Sequence, residues 1–164
     1  MIPPLMRSFG FFKFLDKPVD FGKTFKGEPL LGSHKTWRGV VCGILIGILT
    51  VLVQSSLYQF PLIQKISFLN YREINIFLFG FLLSGGAVFG DLFFAFIKRR
   101  LKLTPGAPFL PFDQINYVLG TWLFLTPIFK IEIAIWLTVL ILTFFLHVVF
   151  NRLGYELGLN KAKW

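Results

Sequence analysis

Long apolar stretches with almost no charged residues are the feature that most constrains the fold of this chain. Four of them are present, at residues 40–60, 74–97, 115–129 and 131–150. A helix of about 20 residues is as long as the hydrocarbon core of a bilayer is thick. Only 15% of the 164 residues are charged, against about 25% in a typical soluble domain. The sequence therefore predicts an all-α, polytopic membrane bundle with four spanning helices, forming a single integral membrane domain over residues 1–164.

The last two apolar stretches are predicted to be separate, antiparallel helices. One helix over both would be about 50 Å long, which is too long for a bilayer. Pro127, Lys130 and Glu132 lie where a turn is needed. The span at 115–129 is short, so it must tilt, thin the bilayer or recruit earlier residues.

Positive charge falls in three groups, which an even number of spans places on one side of the membrane. The groups precede the first span, follow the second and follow the fourth, and only Lys65, Arg72 and Lys130 fall on the other side. This asymmetry is a positive-inside signal. It predicts that residues 1–38, the 98–114 loop and the C-terminus are cytoplasmic in a cell membrane. The net charge of +9 is then explained by topology, and no nucleic-acid partner is predicted.

Asp91 is the only ionisable residue within the second predicted span. A carboxylate inside a span costs at least about 2.5 kcal/mol on insertion scales, so either an ion pair or a functional site must compensate. Its helix face also carries Ser84, Ala87, Ala95 and Lys98. Small residues allow close helix packing, and they also leave room for a ligand beside the carboxylate.

Two basic segments lie on the predicted cytoplasmic side. The 98–114 loop begins with Lys98-Arg99-Arg100, which alone is typical of a stop-transfer anchor, and ends near Asp113, a helix N-cap or a second metal carboxylate. Several prolines stiffen this loop. The other segment runs from Gly32 to Arg38 into a helix start, where free N–H groups and the helix dipole favour phosphate.

Together these segments resemble the CDP-archaeol synthase family and, more distantly, the CDP-diacylglycerol synthases. The matching stretches are Pro18–Lys23, Gly32–Gly39, Gly90–Arg100, Pro105–Pro108, Asp113–Gln114 and Leu119–Gly120. Members usually have five spans, with one before Pro18, and a serine where this chain has Ala95. The combination is specific, although no single stretch is.

The resemblance implies a Mg²⁺-dependent nucleotidyltransferase that converts CTP and a lipid phosphate into a CDP-lipid and pyrophosphate. It implies Asp91 and Asp113 as catalytic metal ligands, with Lys98 and Arg99 also catalytic. The residues expected to bind nucleotide or phosphate are Asp20, Lys35, Thr36, Arg38, Lys98, Arg99 and Arg100. Two alternatives stay open: an enzyme acting on phosphatidic acid, and a non-enzymatic small transporter or lipid-binding protein with Asp91 as its ion site.

The charge asymmetry gives a topology that reporter fusions test directly. Reporters placed after Trp164 and near Thr104 are both expected to report the cytoplasm, and one near Ser67 the outside, because the charges at the first two positions share a side. Opposite sides for Thr104 and Trp164 would contradict the helical hairpin in the last two spans.

Overall fold

The computed structural model describes residues 13–104 and 107–158 of the chain. A short 3-10 turn, Lys13–Leu15, precedes a two-stranded antiparallel hairpin of β1, Thr24–Phe25, and β2, Glu28–Pro29. The helices are α1, Trp37–Leu57; α2, Pro61–Ile66; α3, Ile76–Arg100; α4, Phe112–Leu125; and α5, Ile133–Glu156. The predicted all-α membrane bundle is confirmed.

Some predicted features lie outside the described residues. They are the chain before Lys13, Pro105 and Gly106 in the proline-rich loop, and the last six residues with Lys161 and Lys163.

Three helices in the described part of the chain, α1, α3 and α5, are long and apolar enough to cross a membrane. α4 has 14 residues, about 21 Å, and is shorter than the hydrocarbon core. The chain beyond α4 continues in the same direction, because the Phe129 ring meets the Phe79 ring near the start of α3 with centroids 5.2 Å apart. α4 and its extension therefore run along most of α3, and the four-span count stays a prediction.

The helix bounds differ from the predicted spans by two to six residues. Polar caps set the observed starts: the Thr36 hydroxyl accepts from the Gly39 N–H, and the Asn75 side chain accepts from the Leu78 N–H. Lys98, Arg99 and Arg100 form the last turn of α3 and do not belong to the loop that was predicted for 98–114. Cations are favourable at a helix C-terminus, so the helix continues beyond its apolar part.

Successive long helices pack antiparallel through glycines. Between α1 and α3, Gly47 lies against Ser84, and Gly80 lies against Ile48. A residue that is later on α3 thus meets an earlier residue on α1. As a result the start of α1, the end of α3 and, by the same rule, the start of α4 lie together, and we call this the basic end.

α3 and α4 make the closest contact in the bundle. Gly86 lies against Gly120 and Thr121, and Gly90 lies against the Asn116 carbonyl. The main apolar core lies in the half of the molecule away from the basic end. It contains Val51, Phe79, Val118, Leu125 and Trp136. Trp136 is the only buried residue of α5, so α5 attaches mainly at that half.

Adjacent glycines on α3 provide a matched test of this contact. A Cβ at Gly86 would overlap the Gly120 carbonyl and the Thr121 Cα, whereas a Cβ at Gly85 meets nothing within 4 Å. Gly86→Ala should therefore destabilise the fold by about 1–3 kcal/mol, the usual cost of overpacking. Gly85→Ala should leave the melting temperature in detergent unchanged or slightly raised. Equal melting temperatures for the two variants would contradict the packing.

Candidate functional site

The Asp20 carboxylate organises the loop at the basic end. Oδ1 accepts from the Gly22 N–H at 3.0 Å, and Oδ2 accepts from the Leu31 and Gly32 N–H groups at 2.9 and 3.0 Å. Burial acts to raise the pKa of Asp20, but these main-chain donors outweigh it and lower the pKa below its usual value. Both oxygens are thus engaged by the backbone, and Asp20, which was expected to bind nucleotide or phosphate, holds the loop in shape.

The same loop is tied to the start of α1. The Val19 N–H donates to the Lys35 carbonyl at 2.8 Å, and the Trp37 N–H donates to the Lys17 carbonyl at 3.0 Å. Thr36, which was predicted to bind phosphate, uses its hydroxyl as the N-cap of α1. These two main-chain hydrogen bonds, one at Lys35 and one at Trp37, therefore fix the backbone that carries the Lys35 side chain.

Arg100 attaches the β1–β2 hairpin to the end of α3. Its guanidinium donates to the carbonyls of Phe25, Glu28 and Pro29. It also lies over the rings of Phe25 and Phe96, 5.4 and 5.1 Å from their centroids. Arg100 was predicted to bind phosphate, but the structure engages its terminal nitrogens in holding the hairpin.

Asp91 pairs with Lys35 from the segment before α1. The Lys35 Nζ donates to Asp91 Oδ2 at 2.6 Å, and the two side chains are 28% and 50% exposed. This is the ion pair that the sequence allowed as one explanation of a carboxylate in a span. Half of the Asp91 side chain remains accessible, so the pair does not close the site.

Asp113 pairs with Lys98 across the 101–111 connection. The Lys98 Nζ donates to Asp113 Oδ2 at 2.8 Å, to Oδ1 at 3.1 Å and to the Ala107 carbonyl at 2.7 Å. Asp113 Oδ2 also accepts from the Phe109 N–H at 3.0 Å. Asp113 lies in the first turn of α4, whose N-cap is Pro111. Lys98 and Asp113 together hold Ala107 and Phe109 of this connection against the ends of both helices.

Two arginines that were predicted to bind nucleotide or phosphate are buried at the basic end. Arg38 is 6% exposed and lies 3.7 Å from the Asp16 carboxylate. Arg99 is 8% exposed, and its Nε has no hydrogen-bond partner among the described residues. A buried N–H group without an acceptor is costly, and in this part of the chain the Nε of Arg99 is such a group.

The carboxylates at the basic end fit Mg²⁺ better than a metal that needs an all-protein site. No group of three or more His, Cys, Asp or Glu side chains comes together in residues 13–104 and 107–158. Mg²⁺ requires only one or two carboxylates, because phosphate oxygens and waters complete its shell. The half-exposed Asp91 suits that role, whereas Asp113 is engaged by Lys98 and the Phe109 N–H.

An apolar groove of about 420 Å³ lies between the Asp20 loop and α3. It is lined by Val19, Asp20, Leu30, Leu31, Phe89, Leu92, Phe93 and Phe96. Phe89 and Phe93 are 41% and 48% exposed, so the groove is on the outer surface of a helix that can span the membrane. Asp91, Lys98 and Arg99, which we call the charged cluster, thus share roughly the last three turns of α3 with the groove.

Gln114 belongs to a stretch that matches the family, but the sequence assigned no role to its side chain. It is 3% exposed, and its Oε1 has no partner within the described part of the chain. Asn116 lies opposite Gly90. Because α3 and α4 are antiparallel, Gln114, two residues before Asn116, is at the level of Leu92 and close to the level of Asp91. The available signal was a cluster of polar residues, Asp113, Gln114 and Asn116, at the start of a helix that is apolar further on.

Comparison with known proteins assigns the family. A family model described as CarS-like CDP-archaeol synthase matches residues 7–164. The chain belongs to the CDP-archaeol synthase family. The match includes both segments of the basic end and all five helices.

Curated CDP-archaeol synthases are similar over most of their length. The protein from Archaeoglobus fulgidus is 39% identical over 152 residues, covering 90% of this chain and 84% of the relative. The protein from Methanosarcina acetivorans is 36% identical over 160 residues, with 90% of each covered. The Methanocaldococcus jannaschii protein is 35% identical over 148 residues, covering 90% of this chain and 83% of the relative. No solved structure gives a significant match.

The role of Asp20 can be tested by exchange of its amide partners. Asp20→Asn keeps the size of the side chain but replaces one acceptor oxygen by a donor. Hydrogen bonds to a charged group contribute about 1.5–3 kcal/mol, so hydrogen exchange at Leu31 and Gly32 should accelerate at least about tenfold. Glu28→Gln removes the same charge from the neighbouring hairpin and should leave those amides protected. If hydrogen exchange at Leu31 and Gly32 is unchanged in Asp20→Asn, the Asp20 carboxylate does not hold this loop in shape.

Proposed function

We propose that this chain is a CTP-dependent cytidylyltransferase that forms CDP-archaeol and pyrophosphate from a lipid phosphate. The observation that carries the proposal is the juxtaposition on α3 of a charged cluster and an apolar groove. Asp91 and Lys98 belong to the cluster, and Phe93 and Phe96 line the groove. A lipid phosphate needs both surfaces, for its head group and for its chains. The names of the curated relatives agree with this substrate class.

The reaction joins groups that are all negatively charged. An oxygen of the lipid phosphate attacks the α-phosphorus of CTP, and pyrophosphate leaves in line with the new bond. The acceptor oxygen is already ionised, so the reaction requires no strong general base. The main task of the protein is to neutralise and align the phosphates.

Lys35, Lys98 and Arg99 are the cations we assign to that task. Lys35 and Lys98 are each held by a carboxylate, and a triphosphate offers each ammonium a second anion. Arg99 follows Lys98 in the last turn of α3, and its buried Nε has no acceptor among the described residues. Arg38 adds positive charge beside the start of α1, where the helix dipole also favours phosphate.

Asp91 and Asp113 are the residues that would hold Mg²⁺. Bound there, the cation would screen the triphosphate and stabilise the charge that develops on the leaving group. Asp91 has the more accessible carboxylate, and Asp113 would have to share its oxygens between the cation and Lys98. Asp20, Thr36 and Arg100 act indirectly, because their contacts fix the loop, the α1 start and the hairpin.

The proposal includes an orientation. We place the basic end at the cytoplasmic face of the cell membrane, where CTP is available and where the positive-inside asymmetry puts the same residues. A lipid phosphate in that leaflet would have its head group level with Asp91 and its chains along the groove. Phosphatidic acid has the same head-group chemistry, so the lipid class must be established by comparing substrates.

A competing function is that of a small transporter or lipid-binding protein with Asp91 as an ion site. Purified protein incubated with labelled CTP, Mg²⁺ and a lipid phosphate separates the two, because only the enzyme forms labelled CDP-lipid. An archaeol-type ether lipid phosphate and phosphatidic acid should be supplied in parallel. No CDP-lipid from either substrate would refute the proposal.

Asp91→Asn is the sharpest variant in this assay. It keeps the side-chain shape and should reduce turnover at least about tenfold, equivalent to about 1.4 kcal/mol of transition-state stabilisation. The Lys35 and Asp91 side chains are 28% and 50% exposed, so the loss of this partly exposed pair should cost the fold less than about 1 kcal/mol. Glu156→Gln, which removes an exposed carboxylate paired with Arg152, is the matched control. A destabilised Asp91→Asn with normal turnover per folded molecule would make Asp91 a structural residue.

A further inference from the structure

We infer that the β1–β2 hairpin and the turn before it, residues 21–29, dock onto an anionic lipid surface. In this arrangement Phe21 and Phe25 enter the head-group region, and Lys23 and Lys26 bind lipid phosphates. The inference concerns the surface of the bilayer around the protein and does not depend on the reaction proposed above.

Exposure is the first support for the inference. Every residue from Phe21 to Gly27 is exposed, including 65% of Phe21 and 48% of Phe25. Two large aromatic side chains exposed within residues 21–29 are unfavourable in water. They are favourable at the boundary of a bilayer, where aromatic rings are enriched.

The position of the two rings is the second support. The Phe21 ring centroid lies 6.5 Å from that of Trp37, the first residue of α1. The Phe25 ring lies 5.4 Å from the guanidinium of Arg100, the last residue of α3. Both α1 and α3 are long and apolar enough to span a membrane. The two rings thus pack against helix ends that would lie at the membrane–water boundary if α1 and α3 span the membrane.

The positive charge of the hairpin indicates that the lipid surface it binds is anionic. Lys23 and Lys26 are exposed between and beside the aromatic residues, and the Lys26 ammonium lies 5.6 Å from the Phe25 ring centroid. The carboxylate of Asp20 is turned inward onto main-chain N–H groups, and Glu28 is only partly exposed. The exposed tip is therefore positive, and each lysine near an anionic surface strengthens its attraction.

The hairpin is also held in shape before it meets lipid. Its turn has positive φ at Lys26 and Gly27, 54° and 82°, the conformation of a tight type I′ turn, which glycine adopts without strain. Arg100 bonds to carbonyls on both strands. A preformed element loses little conformational entropy on docking, which favours binding.

Spin labels can measure the depth of the hairpin in the full-length protein. Cys42 is the only cysteine, so Cys42→Ala provides a background for single cysteines at Phe21, Phe25 or Ser33. Ser33 is exposed on the same segment and serves as the control. In nanodiscs containing anionic lipid, labels at 21 and 25 should be accessible to oxygen and protected from a water-soluble nickel chelate. The label at 33 should show the reverse.

Charge dependence provides the second arm. Lys23→Gln and Lys26→Gln should each lower the ratio of docked to undocked hairpin by roughly fivefold in anionic nanodiscs. Neutral nanodiscs should show a similar loss without any substitution. Both leaflets of a nanodisc have the same composition, so the result does not depend on membrane orientation.

Three outcomes would overturn the inference. Free access of the chelate to positions 21 and 25 would place the hairpin in water. Exclusion of both reagents would indicate a protein partner, including a second copy of the chain. If the labels lie at the same depth in neutral and anionic lipid, and neither lysine substitution changes that depth, the hairpin does not require anionic lipid.

Discussion

The close approach of the α3 and α4 backbones is the constraint on which the rest of the structure depends. It is possible because Gly86, Gly90 and Gly120 have no side chains at the contact. Lipid tails are as apolar as the helices, so association in a membrane relies on such packing more than on the hydrophobic effect. The contact fixes the register of the two helices, and the register brings Lys98 at the end of one to Asp113 at the start of the other.

At the basic end, Asp91 and Asp113 are each paired with a lysine, and Asp20 is held by main-chain N–H groups. Lys35 and Lys98 neutralise Asp91 and Asp113, and Arg99 adds a positive charge that no carboxylate within residues 13–104 and 107–158 pairs with. The free protein therefore tolerates acidic groups at a membrane-spanning helix while keeping an excess of positive charge. That excess suits phosphate ligands, which bring more negative charge than the two carboxylates already supply.

The fold class, the helix order and the pairing of the two basic segments followed from hydropathy and charge. The stripe of small residues around Asp91 was predictable from helical spacing, and Ser84 on that stripe does pack against Gly47. Individual side-chain partners were not predictable, because Arg100 on a helix and Phe25 on a hairpin are 75 residues apart. The short α4 and the engagement of Asp20 by backbone amides also depend on tertiary contacts that periodicity does not encode.

The carboxylate of Asp20 acts as an internal substitute for a ligand. It receives the converging N–H groups of Gly22, Leu31 and Gly32, an arrangement that elsewhere in proteins encloses a free anion. An aspartate is ionised at neutral pH, and these hydrogen bonds lower the pKa of Asp20 further below its usual value. The loop is thus assembled around a permanent negative charge supplied by the chain itself. The entropy cost of arranging the backbone beside Lys35 is met once, during folding, and does not recur with each molecule of ligand.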